Sequence, residues 1–223
     1  MNTIKPLIFG STGMIGQAVL LECIEDPQIE TILIINRSSS GVKHQKVKEI
    51  LLSDFSNFSA LVKEFGNYNT CFFCLGISAL GLSEEEYTKI TYDLCIKAAN
   101  TLLQSGTTYT FCYVSGAGTD STEKGRQMWA RVKGKLENAL LALPFKNAFM
   151  FRPGYIQPMK GIVSRTKSYR IIYKIFTPLY YLLKPFKGAV TDTTTLGKAM
   201  ISAARNGYAK KIIEMKDINL LGK

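Results

Sequence analysis

The sequence predicts an α/β protein built on a doubly wound parallel sheet. Three observations carry that prediction. Short apolar runs rich in β-branched and aromatic residues recur at 4–9, 29–35, 46–52, 68–75, 108–114 and 147–151. Segments with helical spacing of apolar residues separate most of them. The first run also passes directly into a glycine turn and a helix. Strands that alternate with helices form parallel sheets, and right-handed crossovers place every strand carboxyl end on one side. Ligands bind at that edge, in the crevice where the strand order reverses. A chain of 223 residues suffices for one domain, 1–223. We expect a small C-terminal lobe at 155–190 to serve as a lid or substrate lobe.

The glycine turn is Gly10-Ser11-Thr12-Gly13-Met14-Ile15-Gly16. Gly10 permits the turn, Gly13 lets a pyrophosphate approach the backbone, and Gly16 lets the helix lie close to the strand. Free N–H groups and the dipole at the helix start favour an anion. The spacing is one residue wider at the front than the commonest dinucleotide fingerprint, but its place between a strand and a helix is the one that fingerprint requires. The second run, 29–35, ends at Asn36-Arg37-Ser38. An acidic residue here would bind ribose hydroxyls and repel a 2′-phosphate. Asn36 followed by a guanidinium suits a phosphate instead, with Ser38 adding a donor, so NADP is favoured over NAD. A third strand at 46–52 leads to Asp54, which either meets the adenine amino group or caps a helix at 56–65.

The fourth run, 68–75, is unusually apolar, as a strand covered on both faces should be. It ends at Leu75-Gly76, where a glycine allows close approach of a ligand. Its Cys71 and Cys74 form a C-x-x-C, but side chains three apart on a strand point to opposite faces, so they cannot readily share a metal. Ser83-Glu84-Glu85-Glu86 is a capping box that opens a helix running to Gly106. The fifth strand ends at Ser115, and a helix over 126–143 follows a glycine-flanked loop. The sixth strand runs into Arg152-Pro153-Gly154-Tyr155. Beyond it, 160–187 mixes lysines and arginines with large apolar residues such as Tyr169, Ile172 and Phe176. A helix at 193–206 and a short strand at 211–215 complete the chain.

Gly10, Gly13 and Gly16, Ser115, Trp129-Ala130-Arg131-Val132-Lys133 and Arg152-Pro153-Gly154 together resemble the short-chain dehydrogenase/reductase superfamily. The likeness is to its atypical single-domain members, related to the Tat-interacting protein oxidoreductase and to small bacterial epimerase-like proteins. It implies a Rossmann fold over nearly the whole chain and an NADP-dependent oxidoreductase or epimerase-like enzyme acting on a small carbonyl or hydroxyl substrate. It implies that Ser115 steadies the substrate oxygen, that Lys133 binds the nicotinamide ribose, and that Leu75, Gly76, Pro153 and Gly154 lie along the cofactor. It also implies that the long helices, 83–105 and 126–143, are the faces of a homodimer. The chain departs from the pattern at the proton-exchanging tyrosine, four residues before the lysine, where it has Trp129. An indole N–H donates a hydrogen bond but does not usefully titrate. Residues 129 and 133 share a helix face, so cofactor binding survives. The proton must come from elsewhere, with Tyr155 or Ser115 and a water as the alternatives.

A formal net charge of +11 favours anionic partners. The positive charges are scattered and no nucleic-acid-binding signature accompanies them, so nucleic acid is not expected. A membrane surface is the less favoured role for 160–187. Five cysteines and a single histidine supply neither a disulfide framework nor a metal set, and point to a reducing cytoplasm. No stretch reaches the roughly 18 apolar residues of a membrane span. Three function classes follow: an NADP-dependent enzyme with a non-standard proton donor, a redox-silent NADP-binding sensor, and a membrane-surface protein.

Overall fold

A computed structural model describes residues 3–55, 57–162, 177–178, 180–184, 186 and 188–223. Its main sheet comprises β1 (Pro6–Phe9), β2 (Ile32–Asn36), β3 (Val47–Leu51), β4 (Thr70–Phe73), β5 (Thr110–Val114), β6 (Asn147–Arg152) and β9 (Ile212–Glu214). The order is β3-β2-β1-β4-β5-β6-β9, and every pairing is parallel. The chain steps outward from β1 to β3 and then crosses back to β4, so the order reverses between β1 and β4. That is the switch point at which such sheets hold ligands.

The helices include α1 (Met14–Glu25), α2 (Val62–Phe65), α3 (Glu84–Thr88), α4 (Leu94–Gln104), α5 (Met128–Ala142), α6 (Thr193–Asn206) and α7 (Met215–Leu221). A π-helical stretch, Lys89–Asp93, joins α3 to α4. Side chains of successive strand residues pass to opposite faces, and the core accordingly divides in two. Ile8, Ile34, Phe72 and Cys112 pack with α1 and α6 on one face. Leu7, Phe9, Phe73 and Phe111 pack with α4 and α5 on the other. Cys71 joins the second layer and Cys74 packs against the first, as the strand period requires.

Local signals explain the helix starts. Ser83 and Glu86 form a reciprocal capping box at α3. The Asp192 carboxylate accepts from Thr195 N at 2.8 Å and caps α6. The helix expected at 56–65 is reduced to a 3₁₀ turn, Ser59–Leu61, and the single turn α2. Its cap positions are Phe58 and Leu61, so Asp54 does not cap it. Two features were not anticipated: a separate two-stranded parallel sheet of β7 (Tyr155–Gln157) and β8 (Val190–Asp192), and α7. The lid expected at 155–190 lies partly outside the described residues, since 163–176, 179, 185 and 187 are not among them. Its described parts are anchored: Lys160 pairs with Glu22 and Glu25 of α1, and Tyr180 donates to Asp192 Oδ2 at 2.8 Å. Among the described residues no helix is long and apolar enough to cross a membrane.

Candidate functional site

The glycine turn leaves the buried end of β1 at the switch point. Gly10 has φ +81, and Gly13 N donates to Gly10 O at 3.0 Å, closing the turn. A Cβ on Gly16 would lie 2.1 Å from Gly10 O, so only glycine lets α1 start this close to the strand. Gly13 is the N-cap residue of α1. No side chain caps it, and the first turn of α1 holds no acidic residue. An anion there meets uncapped donors and the positive end of a 12-residue helix. Thr12 O accepts from Gln17 Nε2 at 3.2 Å, which pins the turn to the helix. Leu75 packs on Gly10 from the neighbouring β4 end. The residues therefore fit a dinucleotide diphosphate.

The turn is tied to the end of β2. Ser11, fully buried, exchanges hydrogen bonds with the Asn36 amide at 2.8 and 3.1 Å. The remaining Asn36 donor goes to Glu49 Oε1 of β3 at 2.8 Å. Arg37 and Ser38 follow, both exposed. Glu49 is a site residue that sequence reading missed. Its neighbours in sequence say nothing of it, because β3 reaches the end of β2 only through sheet pairing.

Ser115 lies at the end of β5, and Lys133 projects from α5 beside it. Lys133 Nζ donates to the Ser115 backbone carbonyl. Gly134 makes this approach possible: a Cβ there would sit 1.8 Å from Asp120 O, so the loop after β5 rests directly on α5. The Ser115 hydroxyl is turned inward. It donates to Glu137 Oε1, and Phe151 O lies 3.1 Å away. Glu137, fully buried, also accepts from Arg152 Nε and Nη2. Trp129, Lys133 and Glu137 thus form one i, i+4, i+8 stripe. The first two were read from the sequence. The third was missed, although the same spacing would have found it.

Burial pushes the Lys133 ammonium down to about 8, against the opposing pull of the Glu137 charge. Lys133 and Trp129 line a cavity of about 470 Å³, together with Ile77, Ser78 and Tyr87. Trp129 is therefore a wall of the cavity, its indole edge passing Gly118. Tyr155 is not on that wall. It sits in the small sheet, its hydroxyl donates to Gln157 Oε1 at 2.7 Å, and burial raises its pKa. Pro153 O accepts from Ala117 N at 2.8 Å, while Gly154 is exposed beside Met215. Gly76 is exposed at the end of β4. A larger hollow, about 520 Å³, lies at the far end of α1 among Glu22, Asp26 and Arg205, away from all of these groups.

No protein-family model matches the chain. It is similar to Protein FMP52-1, mitochondrial, of Scheffersomyces stipitis, with 25% identity over 209 residues, covering 91% of this chain and 89% of that protein. It is also similar to Protein fmp52-2, mitochondrial, of Neosartorya fischeri, with 26% identity over 233 residues, covering 100% and 98%. The names of these relatives overturn the cytoplasmic location expected from cysteine usage. Cysteine usage does not distinguish the cytoplasm from another reducing compartment. Among solved structures, a short-chain dehydrogenase/reductase family oxidoreductase from Burkholderia thailandensis superposes with a TM-score of 0.71 at 13% identity, covering 99% of this chain and 94% of that one. The Bordetella bronchiseptica enzyme WbmG in complex with NAD superposes with a TM-score of 0.69 at 12% identity, covering 96% and 72%. The chain has the Rossmann fold of the short-chain dehydrogenases/reductases.

Proposed function

We propose that the chain binds a nicotinamide dinucleotide along residues 10–16 and reduces a small carbonyl substrate held between Trp129 and Lys133. The observation that carries this reading is the shared sheet edge. An uncapped helix start cradled by Gly10 and Gly16 and a depressed lysine on a cavity wall both lie at the strand carboxyl ends. The glycine turn would hold the diphosphate. Arg37 and Ser38 would favour NADP over NAD at the adenosine end, with exposed Asp54 near the adenine. Leu75, Gly76, Pro153 and Gly154 would flank the nicotinamide half. By similarity to its named relatives, we also propose a mitochondrial location.

When bound, the dinucleotide supplies a hydride. The chain must supply the proton, and Trp129 cannot. Lys133 is the titratable cation on the cavity wall, and burial already holds its ammonium near 8. Its Nζ gives a proton to the substrate oxygen and regains one from solvent. Ser115 O and the Glu137 charge keep the Nζ in place.

The test is a fluorescence titration with NADPH and NADH, followed by NADPH consumption over a panel of small carbonyls. Saturable binding and substrate-dependent turnover are expected. Reduction requires the protonated amine, so the rate should hold at low pH and fall as pH rises through about 8. Lys133→Ala should abolish turnover. Absence of binding would end the proposal. A second reading, a dinucleotide sensor without turnover, is favoured by the inward-turned Ser115 hydroxyl. Binding with no turnover across the panel would select it.

A further inference from the structure

Glu49 stands out because its carboxylate accepts three hydrogen bonds from the residues that close β2 and open the loop after it. Its Oε1 accepts from Asn36 Nδ2 and from Ser40 N, each at 2.8 Å. Its Oε2 accepts from Ser39 Oγ, also at 2.8 Å. The turn continues from these bonds: Ser39 Oγ accepts from Gly41 N at 3.2 Å, and Ser40 Oγ accepts from Val42 N at 3.3 Å. These donors hold the Glu49 carboxyl below the usual carboxylate range, against the opposing effect of burial. Residues 36, 39 and 40 are thereby fixed to β3. Only Arg37 and Ser38 are left between the anchors, and both are exposed. The Glu49 oxygens face Asn36, Ser39 and Ser40, while Arg37 stands exposed above them.

We infer that Glu49 is a positioning residue for a 2′-phosphate: it folds the 36–40 loop so that Arg37 and Ser38 are presented outward, at the end of β2, to an adenosine 2′-phosphate. The inference rests on the dinucleotide reading of residues 10–16. A carboxylate near a phosphate subsite would by charge alone weaken phosphate binding. Here its oxygens face the loop donors, and its effect is to hold a phosphate-binding fork in place. A guanidinium held on a fixed loop loses less freedom on binding than one on a free loop.

The experiment measures dissociation constants for NADPH and NADH, and for adenosine 2′,5′-bisphosphate and 5′-AMP as probes of the adenosine end alone. The proteins are the wild type, Glu49→Gln and Ser39→Ala. Ser39 is exposed, so that variant keeps the fold if Glu49→Gln does not. The wild type should prefer the 2′-phosphorylated member of each pair. Glu49→Gln should weaken NADPH by about tenfold, the size of one lost charge-assisted bond, and change NADH by less than about threefold. Ser39→Ala should act in the same direction and less strongly. A gain in NADPH affinity in Glu49→Gln would show that the acid repels the phosphate and would overturn the inference. So would equal losses for both nucleotides, no change, or a wild-type preference for NADH. If the wild type binds neither nucleotide, the dinucleotide reading fails. If it binds both and Glu49→Gln leaves the ratio unchanged, only the role of Glu49 fails.

Discussion

Glu137 has no exposed surface, yet its carboxylate serves Ser115, Arg152 and the charge environment of Lys133 together. Arg152 also donates to Ser121 Oγ at 2.5 Å, which ties β6 to the loop after β5. Removing one partner of a buried pair leaves the other charge uncompensated. Glu137→Ala should therefore destabilise the protein by about 3 kcal/mol, because it leaves the Arg152 guanidinium only the longer pair to Glu214, at 3.5 Å, and the Ser121 hydroxyl. Urea unfolding measures this. A loss below about 1 kcal/mol, the range of exposed pairs, would show that water reaches Arg152. This network also marks how far single residues can be read. Ser115 and Lys133 were legible because a strand end and a helix spacing place them. Glu137 lies on the same helical spacing, but nothing local marks it as a buried acid, since acids are rarely buried unless paired; Glu49 was not legible at all, because its partners come from another strand and its loop.

At the scale of the element, the turn between β1 and α1 separates fold from function within three residues. A Cβ at position 16 would meet Gly10 O at 2.1 Å, a clash with backbone that neither β1 nor α1 can relieve without shifting. At position 13 the nearest atom would be Gly10 O at 3.4 Å, a tight but ordinary contact. Gly16→Ala should thus cost about 1–3 kcal/mol of stability, as overpacking does. Gly13→Ala should leave the melting temperature nearly unchanged but cut dinucleotide affinity by at least about tenfold, because its methyl stands where the diphosphate must approach. Thermal melts and NADPH titration of the two variants decide it. Full binding by Gly13→Ala would place the anion elsewhere. The central strands were readable for the same packing reason: β1, β2 and β4 are buried on both faces, and they are apolar but for Asn36 and Thr70 at strand ends. The three-residue β7 and β8 carry too little pattern to be seen. Helix α7 was hidden because its N-cap, Glu214, and its first residue, Met215, fall inside the expected strand at 211–215.

Across the whole molecule, the net charge of +11 acts on any nucleotide before contact is made. Several acids are already spent on internal pairs, among them Glu22 and Glu25 with Lys160, Asp26 with Arg205 and Glu137 with Arg152. Arg37 is exposed at the edge where the glycine turn opens. A positive field should draw the dinucleotide toward the sheet edge, and the 2′-phosphate of NADPH adds charge for that field to act on. Fields of this kind are screened beyond about 10 Å at 0.1 M salt. The association rate of NADPH should therefore fall as salt is raised from 20 mM to 500 mM, and fall more steeply than that of NADH, while dissociation changes less. Stopped-flow fluorescence at several ionic strengths measures both slopes. Equal slopes would mean that the 2′-phosphate enters no positive field at the end of β2, and the role given to Arg37 would go with it.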